Sequence, residues 1–146
     1  MLIWSEKYET GHPAIDAQHR ELINYINRLE GLLNITNITR QDCELIVSLV
    51  NFVEDYTNTH FSFEEQCMED FKCPAREMNQ QAHNEFRQFF RDFKLRFDRE
   101  GFHPAILRQL HQNASSWILG HILKIDRQIR TCVKNQELSG TRTAVS

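Results

Sequence analysis

Apolar and polar positions alternate along the chain with the period of amphipathic helices, and four such helices are predicted. In the first, Ile15, Leu22, Ile26, Leu29 and Leu33 fall on one face between about Pro13 and Leu33, and the polar stretch Asn34 to Arg40 follows. The second begins at Thr39, an N-cap with an acidic residue three positions on at Asp42. It carries Leu45, Leu49, Phe52, Val53, Tyr56, Phe63 and Cys67 towards Glu69. The third follows Pro74, repeats Phe86, Phe90, Phe93 and Phe97 at helical spacing and stops at Gly101. The fourth follows Pro104 and threads Leu107, Leu110, Ala114, Trp117, Ile118, Ile122, Ile125 and Ile129 before the pattern fades near Lys134. Pro13, Pro74 and Pro104 each read as the first residue of a helix, where proline's missing N–H costs nothing and its φ already suits the turn. Short connections between helices of this length imply an all-α, antiparallel up-down-up-down four-helix bundle preceded by a short extended segment. That domain is expected over residues 1–134, with residues 135–146 as a polar tail or the start of a linker.

Composition narrows the picture. A chain of 146 residues is the size of one domain, and 5 Gly and 3 Pro are too few for a many-stranded sandwich. The formal net charge of -3 gives no footprint for nucleic acid or an anionic membrane, and neither is an expected partner. The start Met1-Leu2-Ile3-Trp4-Ser5-Glu6 lacks the basic and apolar regions of a secretion signal, so a cytoplasmic location is expected. Cys43, Cys67, Cys73 and Cys132 show no Cys-x-x-Cys spacing and are expected to be reduced thiols.

Seven histidines in so short a chain demand an explanation. His19, between Ile15 and Leu22 on one stripe, points inward, as does His83 ahead of Phe86 and Phe90; either could be a core histidine with a single polar partner. His60 and Glu64 are four apart and so share a helical face, a spacing also common for surface pairs. Phe52, Tyr56 and Phe63 argue that this face is partly buried, where an unpaired carboxylate is costly unless a cation meets it. His121 lies in the most apolar part of the fourth helix, beside Gly120, which leaves room for it. Asp126, five positions on, would face away from His121 in a regular helix and read as solvated, whereas a π-bulge would bring the two to one face. One inward histidine per helix together with carboxylates suits a shared metal centre of iron, manganese or zinc better than four separate core histidines. Two carboxylates able to bridge favour two metals over one.

These stretches resemble the hemerythrin family, bacterial hemerythrin-like domains in particular. The likeness covers residues 1 to 132. It rests on Trp4, Tyr8, Gly11 and Ile15-Asp16-Ala17-Gln18-His19; on His60-Phe61-Ser62-Phe63-Glu64-Glu65-Gln66 with Met68; on Pro74 through His83-Asn84-Glu85-Phe86; and on Trp117-Ile118-Leu119-Gly120-His121 continuing to Asp126. The resemblance implies two non-haem iron ions with an oxo or hydroxo bridge and reversible O2 binding. By motif position His19 and His60 would bind one iron, His83 and His121 the other, and Glu64 and Asp126 would bridge them. Tyr8 and Trp117 would line the site as packing residues, and His12, His103 and His111 would not be ligands.

The chain departs from the family pattern at Asn79, where the first of two helix-three histidines would stand. One iron would then have two histidines, with Asn79 or water in the remaining place, and fast oxidation by O2 would be expected in place of stable O2 carriage. That favours an O2 or redox sensor, in which NO or peroxide could also be the ligand, attached to a C-terminal signalling domain such as a diguanylate cyclase. A stand-alone O2 carrier is the alternative. A di-iron oxidoreductase, such as a peroxidase, NO reductase or ferroxidase, is another, though no catalytic residue is assigned and an enzyme is not the expected reading.

Overall fold

The computed structural model describes residues 1–126 and 128–135. It is an all-helical bundle: α1 spans Pro13–Leu32, α2 Arg40–Asp70, α3 Arg76–Glu100 and α4 Pro104–His121. A π-helical segment, Ile122–Asp126, continues from α4, and residues 128–135 are α-helical again. There is no strand among the described residues.

Local chemistry explains most of the boundaries. Thr39 caps α2 through a reciprocal box in which its hydroxyl accepts from the Asp42 N–H while the Asp42 carboxylate accepts from the Thr39 N–H. Pro13 and Pro104 occupy first-turn positions of α1 and α4 as predicted. Pro74 does not: α3 starts at Arg76, and Pro74 lies in a turn closed by the Arg76 N–H to the Cys73 carbonyl at 3.2 Å. The end of α2 dictates that turn. Lys72 takes φ +53°, its N–H reaches the Glu69 carbonyl at 3.0 Å, and the Cys73 N–H reaches the Met68 carbonyl at 2.8 Å. This is the Schellman arrangement, which brings the residue after the turn back onto the helix's last apolar residues. Gly101, at φ +78°, ends α3 in a conformation that a side chain would disfavour.

The buried stripe of α3 is as predicted: Phe86, Phe90, Phe93 and Phe97 all face inward. On α2 the face is rotated from the expectation. Ile46, Val50, Thr57, His60, Phe61, Glu64, Cys67 and Met68 are buried, while Leu45, Phe52 and Phe63 are 56%, 54% and 36% exposed. So Phe61, rather than Phe52 and Phe63, shields His60 and Glu64. Apolar residues lie on nearly every side of α2, and which of them point inward depends on where α1 and α3 dock.

The core has layers. Phe61 joins the α3 phenylalanines, Ile46, Val50, Leu107 and Leu110 in the larger one. Ile15, Cys67, Met68, Cys73, Ala75, Ile129, Cys132 and Val133 form another at the opposite end. Between them along α1, α2 and α3 come His19, His60 with Glu64, and His83. The N-terminal segment is strapped to α1, because the Leu2 N–H and carbonyl both bond the Asn27 side chain at 2.9 Å. It then inserts Tyr8 beside Ile26, Ile118 and Ile122.

The cysteines depart from the expectation of four reduced thiols. Cys73 and Cys132, 59 residues apart, form a disulfide with Cα atoms 5.6 Å apart, while Cys43 and Cys67 are free. No sequence spacing announces this pair, because the Schellman turn and the helix beyond the π-segment bring the two together only in the folded bundle. Of the expected tail at 135–146, Asn135 is helical and residues 136–146 lie outside the described residues, as does the side chain of Ile125.

Candidate metal centre

Glu64 sits at the middle of the bundle, fully buried, and its two oxygens face opposite ways. Oε2 is 2.9 Å from His19 Nε2 and 3.2 Å from His60 Nε2; Oε1 is 3.1 Å from His83 Nε2 and 3.8 Å from His121 Nε2. Asp126 spans the same two halves: Oδ2 is 3.0 Å from His19 Nε2 and Oδ1 is 3.2 Å from His121 Nε2. The four histidines thus divide into an α1–α2 pair and an α3–α4 pair, with both carboxylates shared between them. All six side chains are buried, none more than 7% exposed.

The π-segment is what delivers Asp126. Its five residues, Ile122–Asp126, widen the turn after His121 so that a residue five positions on returns to the same face. Gly120 is not needed for space, since a Cβ there would meet nothing within 4 Å. His12, His103 and His111 lie outside the cluster; the first caps α1 by accepting from the Ile15 N–H, and the second stands ahead of Pro104. Trp117 stacks on His121 with ring centroids 4.5 Å apart, and Phe61 stacks on His83 at 3.8 Å.

Two neighbours escaped the sequence reading. His60 Nδ1–H donates to Gln18 Oε1 at 2.6 Å, which leaves the Nε2 lone pair facing Glu64 and the cluster. His83 Nδ1 lies 3.7 Å from Glu65, which Arg87 approaches at 3.5 Å. Helical periodicity gives no hint of either, since Gln18 and Glu65 adjoin His19 and Glu64 in sequence yet serve histidines on other helices.

Asn79 is completely buried where the pattern would put a further histidine. Its amide N–H donates to Glu64 Oε1 at 3.0 Å and to Met68 Sδ at 3.1 Å, and its Oδ1 has no hydrogen-bond partner.

The charges balance only through protons or cations. Burial alone would lower the His19 pKa, but Asp126 and Glu64 outweigh it and raise it to about 10. His121 rises to about 9 against the same burial penalty, through the same two carboxylates. Burial dominates at His60 and pushes it down. Glu64, which burial would raise, is held well below the usual carboxylate range by the histidines that donate to it, His121 and His19 foremost.

A pair of metal ions fits this donor set. Both Asp126 oxygens are fully buried and unmatched by any aligned hydrogen-bond donor, and His83 Nε2 stands 3.0 Å from His121 Nε2 with both facing Glu64 Oε1. Buried acceptors left in that state are costly, whereas a cation at their shared focus would satisfy them together. Ligand atoms of Glu64, His83, His121 and Asp126 lie within 4.8 Å of one another, as do those of His19, His60 and Glu64.

Comparison with known proteins agrees. Residues 10–132 match the family model described as the hemerythrin HHE cation binding domain. The chain is 28% identical over 134 residues to a bacteriohemerythrin of Stenotrophomonas maltophilia, covering 92% of this chain and 82% of that one. It is 26% identical to one of Pseudomonas aeruginosa (86% and 76% covered) and 27% identical to one of Aquifex aeolicus (86% and 93% covered). With the family model matched over most of its length and the histidines and carboxylates of four helices gathered at one buried centre, the chain belongs to the hemerythrin HHE family.

Proposed function

We propose that this domain holds two non-haem irons, responds to O2 and acts as an oxygen or redox sensor rather than a carrier. Family membership and the buried His/Glu/Asp cluster support a di-iron O2-binding domain. In this reading His19 and His60 would hold one iron and His83 and His121 the other, with the Glu64 and Asp126 carboxylates, which each face both histidine pairs, shared between them. The bound pair would supply reversible electron transfer and an open position for a small ligand.

The chain's own residues set how that chemistry is presented. Gln18 fixes the His60 tautomer, and the stacked Phe61 and Trp117 hold the rings of His83 and His121 and keep water out. The observation that carries the sensor reading is Asn79. It gives its N–H to Glu64 and contributes no imidazole, so the α3–α4 half has one histidine fewer than the family pattern. An iron held by that half would have one imidazole fewer and so a coordination place that no histidine of this chain fills, which favours a centre that changes oxidation state on meeting O2.

The physiological setting of the proposal is a cytoplasmic protein in which the domain governs a C-terminal signalling module such as a diguanylate cyclase. No helix among the described residues is long and apolar enough to cross a membrane. Iron analysis with anaerobic mixing tests the reading. About two irons per chain and direct conversion of the ferrous to the ferric absorption spectrum on mixing with O2 are expected. O2 uptake reversed by lowering the O2 pressure would replace the sensor with a carrier, and sustained turnover of peroxide or NO would replace it with an enzyme.

A further inference from the structure

We propose that Cys73 and Cys132 are a reversible thiol–disulfide couple, a second redox-responsive site of this domain that works without metal and fastens the segment bearing Asp126 to the end of α2. The geometry behind this is independent of the metal centre. Cys73 is the residue that the Schellman turn folds back onto Met68 and Cys67, and Cys132 lies in the short helix after the π-segment, with Ile129 and Val133 in the same apolar layer. Their Cα atoms are 5.6 Å apart, at the usual separation for a disulfide, so the bond can open and close without the backbone having to travel. The loop it closes runs through 59 residues and contains α3, α4 and the π-segment, hence His83, His121 and Asp126.

The layer also abuts the cluster. Met68, a member of the same apolar cluster as both cysteines, receives an N–H from Asn79, and Asn79 in turn bonds Glu64. Reduced, the C-terminal helix packs on the α2–α3 turn through this apolar layer; oxidised, it is also tied covalently. The side chains are 6% and 8% exposed, which excludes a protein oxidant and leaves a small one. Hydrogen peroxide balances the step. One cysteine sulfur attacks a peroxide oxygen, the O–O bond breaks, and a sulfenic acid and water result. The second sulfur then attacks the first, the S–S bond forms, and the S–O bond breaks with loss of a second water. The two thiols give up two electrons and two protons, and the peroxide becomes two waters. A dithiol reductant reverses the change by exchange. Cys67, whose Sγ lies 3.8 Å from His12 Nε2, is free beside the finished bond and is not part of it.

The test uses the whole chain, reduced with dithiothreitol and then treated with stoichiometric hydrogen peroxide. Alkylation after denaturation should modify four cysteines before peroxide and two after it, with a Cys73–Cys132 peptide recovered by mass spectrometry. Amide exchange across residues 121–133 should slow at least tenfold on oxidation and recover on reduction. Cys132→Ser should show neither change, and the reduced wild-type chain serves as the reference should that variant fold poorly. Four alkylated cysteines after peroxide, a different pair, or unchanged exchange despite the bond would each overturn the proposal. None of these readouts needs iron, so failure here is separable from failure of the di-iron reading, which iron analysis alone decides.

Discussion

Phe61→Ala should be among the most damaging single changes in the bundle, and its cost can be worked out in advance. The side chain is 1% exposed, stacks on His83 at 3.8 Å and meets Phe86 and Trp117 at 5.8 and 5.7 Å. A buried phenylalanine removes about 150–250 Å² from water, worth about 4–6 kcal/mol at roughly 25 cal/mol per Å². Measured Phe→Ala costs of about 3–5 kcal/mol already include the cavity left behind. We therefore expect a loss of about 4 kcal/mol in the metal-free protein, or about 8–16 °C in Tm for a domain of this size. Phe52, nine residues earlier on α2, is 54% exposed and touches chiefly Tyr25, with ring centroids 5.0 Å apart. Phe52→Ala should cost about 1 kcal/mol, from one aromatic pair and partial burial. Urea unfolding of both variants, stripped of metal by chelation, makes the comparison free of ligand stabilisation. A Phe61→Ala loss below about 1 kcal/mol, or a Phe52→Ala loss equal to it, would refute the assignment of the inward face of α2 and with it the shielding of the centre.

The metal-free protein should also lose stability as pH rises. His19 and His121 titrate near 10 and 9 in the fold, against the ordinary value of 6.5, so their contribution is complete below about pH 6.5 and disappears as pH climbs through 9 to 10. Urea midpoints at pH 6, 8 and 9.5 should therefore fall in that order, and a flat or rising series would contradict the charge balance assigned to the cluster. Metal loading should release protons over the same range, which titration in weak buffer would detect. Asn79→His should slow oxidation of the ferrous protein by O2 at least tenfold while raising iron retention against a chelator. The larger ring crowds Met68, so a cost of about 1–3 kcal/mol to the metal-free fold should accompany it. An unchanged oxidation rate at two irons per chain would remove Asn79 from the account of the open half.

The sequence by itself determined the four helices, because 3.6-residue periodicity, the Thr39–Asp42 cap and Gly101 are local signals that later packing left in place. It also determined which side chains could meet, through motif likeness and the inward stripes of α1 and α3. Only the tertiary structure decided the rest. The inward face of α2 depended on where its neighbours docked, since a helix apolar on several sides has no single periodic answer. Pro74 was displaced from the start of α3 because a Schellman turn, set by hydrogen bonds to Met68 and Glu69, claimed the residues around it. Asp126 needed the π-segment, a change in helical pitch that the sequence permitted without requiring. Gln18 on His60, and Cys73 on Cys132, are contacts between elements far apart in the chain, and no spacing rule along one helix reaches across a bundle to its neighbour.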